Sequence, residues 1–69
     1  GKITKRRMTI LSSFREGDLV AETFIDKGDF GAIFYNKHGE KIGEEKYIGH
    51  SEDYAESAAE NYVLGIKKV

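Results

Sequence analysis

Two histidines, His38 and His50, are the side chains of this 69-residue chain best suited to proton transfer near neutral pH or to metal binding. Neither has a second ligand at a recognisable spacing, and the absence of cysteine excludes thiolate metal sites and disulfides. Ser12, Ser13 and Ser57 lack the sequence context of an activated nucleophile. The sequence therefore predicts no catalytic residue, no metal site and no cofactor, and we interpret the chain as non-enzymatic.

Three glutamates, Glu52, Glu56 and Glu60, recur at intervals of four residues and would form one row on a helix, here named the acidic row. One interpretation is a solvated outer surface. The other is a docking face for a basic surface of a partner protein, since the spacing makes a stripe of one sign. We expect the acidic row on the side of the helix opposite its apolar stripe.

Charge is divided unevenly along the chain. The formal net charge is −1, but residues 1–7 hold four bases (Lys2, Lys5, Arg6 and Arg7) and no acid. From Met8 onward, 7 bases (11 − 4) face 12 acids, a net charge of −5. Residues 1–7 are either a basic arm that contacts nucleic acid or the remnant of a removed purification tag that precedes a natural start at Met8.

The composition is that of a small globular protein, with 39% apolar and 33% charged residues. Residues 8–69 are predicted to form a single domain. No stretch approaches the length of apolar sequence that crosses a bilayer, and no signal peptide is recognisable. We therefore expect a cytoplasmic protein without a membrane partner.

The elements that must position these residues are strands followed by one helix. Runs rich in β-branched and aromatic residues at 18–26, 30–36 and 40–48 are separated by short turns with glycine, which predicts antiparallel hairpins. A weaker strand candidate lies at 8–14. The predicted fold class is α+β: a three-stranded, optionally four-stranded, antiparallel meander with one C-terminal helix packed on one face.

The C-terminal helix is predicted to begin after Ser51, whose hydroxyl would cap it, and to end at Gly65. Its apolar positions recur at helical spacing and form one stripe. The members of this stripe are Tyr54, Ala55, Ala58, Ala59, Tyr62, Val63 and Ile66.

The strand at 30–36 is apolar on both sides, because Phe30, Ala32 and Phe34 alternate with Ile33 and Tyr35. Asp29 is expected in the preceding turn, and Gly31 is expected to relieve crowding beside aromatic neighbours. One helix covers one side of such a sheet, and large exposed apolar patches are rare on monomers. A second covering element is therefore required.

Three covering elements are considered. The segment with Ile10, Leu11 and Phe14 could fold back, a second copy of the chain could pack there, or a different protein could dock. We predict a homodimer. The residues of the predicted self-association face are Val20, Phe24, Ile33 and Tyr35.

Strands at 30–35 and 41–48 followed by a helix with Ala55, Ala58 and Ala59 resemble the AP2-type and phage-integrase arm-binding domains. That resemblance implies a sheet that enters the major groove of DNA, with the basic arm as a further contact. However, residues 18–49 hold four bases against seven acids and lack the tryptophan and arginine typical of those sheets. Nucleic-acid binding is thus the alternative hypothesis.

The run 51–66 resembles the closing helix of small accessory proteins of cyanobacterial viruses. This resemblance implies a short accessory protein in the cytoplasm of an infected bacterial host. The leading hypothesis is a non-enzymatic protein-interaction module that forms a homodimer through a sheet face and binds a host factor with a basic surface.

Overall fold

The computed structural model describes residues 8–69, which form a four-stranded sheet and one helix. The strands β1 (Thr9–Glu16), β2 (Leu19–Asp26), β3 (Asp29–Tyr35) and β4 (Lys41–Tyr47) are followed by α1 (Glu52–Val63). Each strand pairs antiparallel with the next, in the spatial order β1-β2-β3-β4, and α1 packs on one face. The predicted α+β class is confirmed, and β1 supplies the optional fourth strand. The predictions for residues 1–7 lie outside the described residues.

The β2–β3 hairpin is closed by a two-residue turn. Lys27 and Gly28 both have positive φ, 55° and 86°, which is the type I′ geometry that matches the twist of paired strands. Asp29 is the first residue of β3 and pairs with Asp26, so it is also the fourth residue of the turn in which it was expected. This register places Phe24 opposite Gly31.

The main core lies between α1 and the sheet. Its buried members are Ala21, Ala32, Phe34, Ala59, Tyr62 and Val63. The rings of Phe34 and Tyr62 meet edge to face at 5.0 Å, and the Tyr62 hydroxyl donates a hydrogen bond to the backbone oxygen of Tyr35 at 2.8 Å. The alanines permit the close approach of helix and sheet that these contacts require.

The outer face of the sheet, opposite α1, has a smaller apolar centre. The ring of Phe24 lies against Gly31, where a Cβ atom would overlap both that ring and the backbone oxygen of Glu45. The expectation that Gly31 relieves aromatic crowding is thereby confirmed. Phe24 is fully buried and Ile33 is 5% exposed.

The N-terminal end of α1 differs in detail from expectation, whereas Gly65 ends the helix as expected. Ser51 occupies the N-cap position, but its hydroxyl makes no capping hydrogen bond; its backbone oxygen accepts one from the Tyr54 N–H at 3.2 Å. At the other end Leu64 is the C-cap, and Gly65 has a φ of 86°. The N–H of Ile66 then donates to the Asn61 oxygen at 2.8 Å, which turns the chain back towards the sheet.

The packing corrects one expectation and excludes one of the three covering elements considered. Tyr54 and Ile66 are 48% and 69% exposed, because α1 packs over β1, β2 and β3 and Ile66 follows the end of the helix. Ile10 and Leu11 do not fold back over the sheet, since they belong to β1 itself. Among residues 8–69, the helix is neither long nor apolar enough to span a bilayer.

Candidate binding surfaces

An open groove lies along the flank of α1 nearest β4. It has a volume of about 390 Å³ and is lined by Tyr47, Tyr54, Ser57, Ala58, Asn61, Ile66 and Lys67. Tyr47 comes from β4, four residues come from α1, and the last two come from the segment that turns back after Gly65. The groove exists because the helix covers the first three strands and leaves the helix side of β4 to the returning C-terminal segment, in which Lys67 pairs with Glu45 and Val69 lies against Gly43.

The aromatic wall of the groove is held in place by ring contacts. Tyr47 and Tyr54 meet edge to face at 5.1 Å between ring centroids, and His50 stacks on Tyr54 at 3.9 Å. Tyr54 is therefore ordered by two neighbours although it is nearly half exposed. A fixed, exposed aromatic ring offers contact area at a low cost in conformational entropy.

A polar cluster borders the groove beside the aromatic wall. The Tyr47 hydroxyl donates a hydrogen bond to Glu45 Oε1 at 2.6 Å, and Lys67 Nζ lies 3.2 Å from the same oxygen. Burial, followed by the hydrogen bond to Glu45, raises the pKa of Tyr47. The hydrogen bond from Tyr47, and then Lys67, lowers the pKa of Glu45 although burial opposes this. Lys67 and Glu45 neutralise each other, so the groove suits an uncharged group.

The acidic row lies along the opposite flank of α1, beside β1. Ser12 Oγ donates a hydrogen bond to Glu56 Oε2 at 3.2 Å, so the row faces the edge of the sheet and does not point directly away from it, as was expected. Glu56 is half-buried, whereas Glu52 and Glu60 are exposed. Within residues 8–69 none of the three forms an ion pair.

The four residues of the predicted self-association face lie together on the outer face, as their alternation indicated. Val20 is directly opposite Tyr35 across the β2–β3 pair. Both are half-buried, and the Tyr35 hydroxyl donates to Glu22 at 2.9 Å. Since Phe24 and Ile33 are buried within the chain, Val20 and Tyr35 are the members that a second copy could contact. Self-association through this face stays a prediction.

Two of the three basic strand residues on the outer face, Lys41 and Lys46, are paired with acids; the third, Arg15, lies there beside Val20 and forms no ion pair within residues 8–69. Lys46 Nζ lies 3.1 Å from Asp26 Oδ2, and Lys41 forms an ion pair with Glu44. A sheet that reads DNA must present unpaired cations to phosphates. With Arg15 as its single cation without an ion pair within residues 8–69, the outer face offers little support for nucleic-acid binding through the sheet.

The remaining candidate for proton transfer or metal binding, His38, lies in a turn. His38 is exposed in the β3–β4 turn, where the Asn36 side-chain oxygen accepts hydrogen bonds from the N–H groups of His38 and Glu40 at 2.9 and 3.0 Å. Asn36 thus shapes this turn. Across residues 8–69 no three histidine, aspartate or glutamate side chains converge on a point where a metal ion could bind.

Comparisons of the chain with protein-family models, with curated proteins and with solved structures give no match. The functional argument therefore rests on the geometry of the groove, the acidic row and the sheet. Sequence reasoning missed the groove. Tyr54 could have indicated it, because a tyrosine at the margin of an apolar stripe, followed by a helix-ending glycine, leaves an aromatic ring beside a returning chain.

Proposed function

We propose that this chain is a non-catalytic protein-binding module that holds an apolar side chain of its partner in the groove. The observation that carries the proposal is the exposed apolar rim: Tyr54 and Ile66, which line the groove, are 48% and 69% exposed. Exposed apolar side chains grouped at a concave site are typical of interaction surfaces. Binding energy at such surfaces is concentrated in an anchor side chain that fills a pocket.

The shape of the groove favours a protein over a small molecule. Sites for small ligands bury most of the ligand, commonly about 70–90% of its surface. The groove is open and its rim projects into solvent, so a small ligand would remain largely exposed. A protein partner covers the rim and fills the groove with one side chain, which buries both.

Polar groups around the groove supply specificity for this proposed partner. Within residues 8–69 the side chains of Ser57 and Asn61 have no hydrogen-bond partner, so both are available to a bound backbone or side chain. A few polar groups around an apolar centre are the usual arrangement of a protein interface.

Selection from a random peptide library tests the groove. We expect selected peptides to share an aromatic or aliphatic anchor and to lose affinity for a Ser57→Trp variant, in which the new ring occupies the groove. Glu60→Trp is the matched control, since it adds the same ring on the other flank of α1. Peptides that bind both variants as well as the unaltered protein would refute the groove as the binding site.

Self-association through the outer face is proposed as a second property of this module. Light scattering during size-exclusion chromatography should give about twice the chain mass of 7.8 kDa. Val20→Lys should return the mass to that of one chain, because it places a charge in the interface. Ile33→Lys is unsuitable, since Ile33 is 5% exposed and the charge would unfold the chain. A single-chain mass for the unaltered protein would exclude the dimer.

The proposed setting is the cytoplasm, in keeping with a chain that has no cysteine. If the resemblance of residues 51–66 to accessory proteins of cyanobacterial viruses reflects kinship, this is the host cytoplasm and the partner is a host protein. Fractionation of cells that produce the untagged chain tests the location, and recovery with membranes would contradict it.

The alternative function, nucleic-acid binding, depends on Lys2, Lys5, Arg6 and Arg7. Gel-shift titrations over a range of salt concentrations, with the full chain and with a chain that lacks residues 1–7, distinguish the two functions. Negligible binding by both chains removes the alternative. Salt-sensitive binding by the full chain alone would establish it.

A further inference from the structure

The edge of the sheet formed by β1 is open and nearly free of charge. Within residues 8–69, β1 pairs with β2 on one side and with no strand on the other. Its charged residues, Arg15 and Glu16, are its last two, and Ile10 and Leu11 are 46% and 38% exposed. Unpaired backbone N–H and C=O groups on such a strand are a template for a further strand.

The other edge strand differs in the feature that protects edges. Four of the seven residues of β4 are charged: Lys41, Glu44, Glu45 and Lys46. Charged side chains, lysine above all, are the usual means by which edge strands avoid pairing with other chains. The contrast indicates that β1 is the receptive edge.

The acidic row runs alongside this edge in the same direction as β1. Glu56 contacts Ser12, and Tyr62, further along α1, reaches Tyr35. Tyr35 pairs with Val20 of β2, and Val20 pairs with Arg15 of β1, so Tyr35 is level with Arg15. Arg15 follows Ser12 along β1, so α1 and β1 run in the same direction. Residues four apart on a helix are separated by about 6 Å along its axis, and alternate residues of a strand by about 6.6 Å. A bound strand would thus repeat its side chains at nearly the spacing of the glutamates.

We propose that the β1 edge takes up an extended basic segment of a partner protein as a fifth strand. Backbone hydrogen bonds to β1 would hold the segment, and lysine or arginine at alternate positions would face the acidic row. The intervening side chains, which should be apolar, would lie on the outer face beside Ile10. This mode of recognition takes its affinity from the backbone and its specificity from alternate side chains.

Charge favours a basic segment of a partner over a second copy of the chain as the strand that pairs with β1. Two β1 edges that paired antiparallel would be related by a two-fold axis perpendicular to the sheet, so both helices would lie on the same side. The two acidic rows would then face each other across the new seam, and like charges would oppose the pairing. A basic segment has the opposite sign and meets carboxylates that have no ion-pair partner within residues 8–69.

The test uses a labelled synthetic peptide in which lysine alternates with valine over about nine residues. Its anisotropy should rise on addition of the protein. A Glu56→Gln/Glu60→Gln variant should bind the peptide about five- to tenfold more weakly. The matched control, Asp18→Asn/Glu40→Gln, changes the charge equally at two turns and should bind as the unaltered protein does.

A second peptide isolates the role of the backbone. N-methylation of alternate residues removes amide donors but keeps every charge, and we expect it to abolish binding. Equal binding of the methylated peptide, or equal weakening by both double variants, would show non-specific attraction and overturn the proposal. A self-associated protein that the peptide dissociates would identify a second copy as the occupant and overturn it too. The groove is on the other flank of α1, so blocking it with Ser57→Trp should leave peptide binding unchanged.

Discussion

The two flanks of α1 are built from the same helix over the same sheet, yet they have different properties. On the β4 side Tyr54 stacks with His50 and meets Tyr47, and the returning chain encloses a groove. On the β1 side the acidic row follows the sheet edge, with one contact from Glu56 to Ser12. The groove is apolar with its charges internally neutralised, whereas the acidic row carries three charges without ion-pair partners in residues 8–69.

The contrast shows how one helix can serve two partners. Helical periodicity separates residues on the two sides of the buried stripe by about half a turn, so each flank can vary without change to the core. The edge strand beneath each flank follows the same division, because β4 is charged and β1 is nearly uncharged. Both flanks depend on the same buried contacts, and that dependence can be tested.

The largest expected effect comes from Phe34→Ala, which removes the support shared by both flanks. Phe34 is fully buried and packs against Tyr62, so its loss should lower the free energy of unfolding by about 3–5 kcal/mol. Urea denaturation followed by circular dichroism measures the change. Ile66→Ala is the control, since that side chain is 69% exposed and should cost less than about 0.5 kcal/mol. Equal losses of unfolding free energy in the two variants would show that Phe34 does not belong to a core that supports both flanks.

A smaller effect is expected from Tyr47→Phe, which alters the groove alone. Loss of the hydroxyl that donates to Glu45 should lower the free energy of unfolding by about 1 kcal/mol at neutral pH. Peptide binding at the β1 edge should not change. A variant that weakened both binding activities would show that the two flanks are coupled.

The pH dependence of the same variant sharpens this test. The pKa of Glu45 is lowered on folding, chiefly by the hydrogen bond from Tyr47, so the associated stability is present above the unfolded value of about 4.3 and is lost as pH falls through the folded pKa. The pKa of Tyr47 is raised, so its contribution is present below about pH 10 and is lost as pH rises towards the folded pKa. The melting temperatures of the unaltered protein and of the Tyr47→Phe variant should therefore converge at low pH and at high pH. A constant difference in melting temperature would contradict the assigned hydrogen bond.

The smallest expected effect concerns the acidic row. Glu60→Lys replaces a repulsive pair with an attractive Glu56–Lys pair at a spacing of four residues and should stabilise the protein by about 0.5 kcal/mol. Chemical denaturation at low and high salt measures this gain, which should shrink as salt screens the pair. The same variant should weaken binding of the basic peptide. Stronger binding would contradict the proposed role of the acidic row.

Much of the fold could be predicted from local patterns. The alternation of Phe30, Ala32 and Phe34 with Ile33 and Tyr35 correctly assigned the two faces of β3, and Gly31 correctly indicated aromatic crowding. These predictions succeeded because they depend on neighbours within one or two residues and on strand geometry. The prediction that the Ser51 hydroxyl caps α1 was wrong, although Ser51 is the N-cap residue. The geometry of a helix end is set by the chain on both sides of it.

The candidate sites were harder to predict, because they depend on segments that are distant in the chain. Tyr54 belongs to an apolar stripe by spacing, but it is exposed because α1 sits over β1, β2 and β3. The acidic row was recognised by its spacing, but it lies on the β1 flank of α1 and does not point directly away from the apolar stripe. Its position beside Ser12 follows from the rotation of α1 about its axis, which the packing of Ala55 and Ala59 sets.

Residue pattern alone therefore determined the element order, the two-sided strands, the −5 charge of residues 8–69 and the spacing of the glutamates. Those properties follow from bonded geometry and from local preferences of the backbone. The groove, the edge of β1 that is unpaired within residues 8–69 and the alignment of carboxylates with that edge were decided by tertiary packing. They arise where α1, the outer strands and the returning C-terminal segment meet, and the free energy that places them belongs to contacts between residues far apart in the chain.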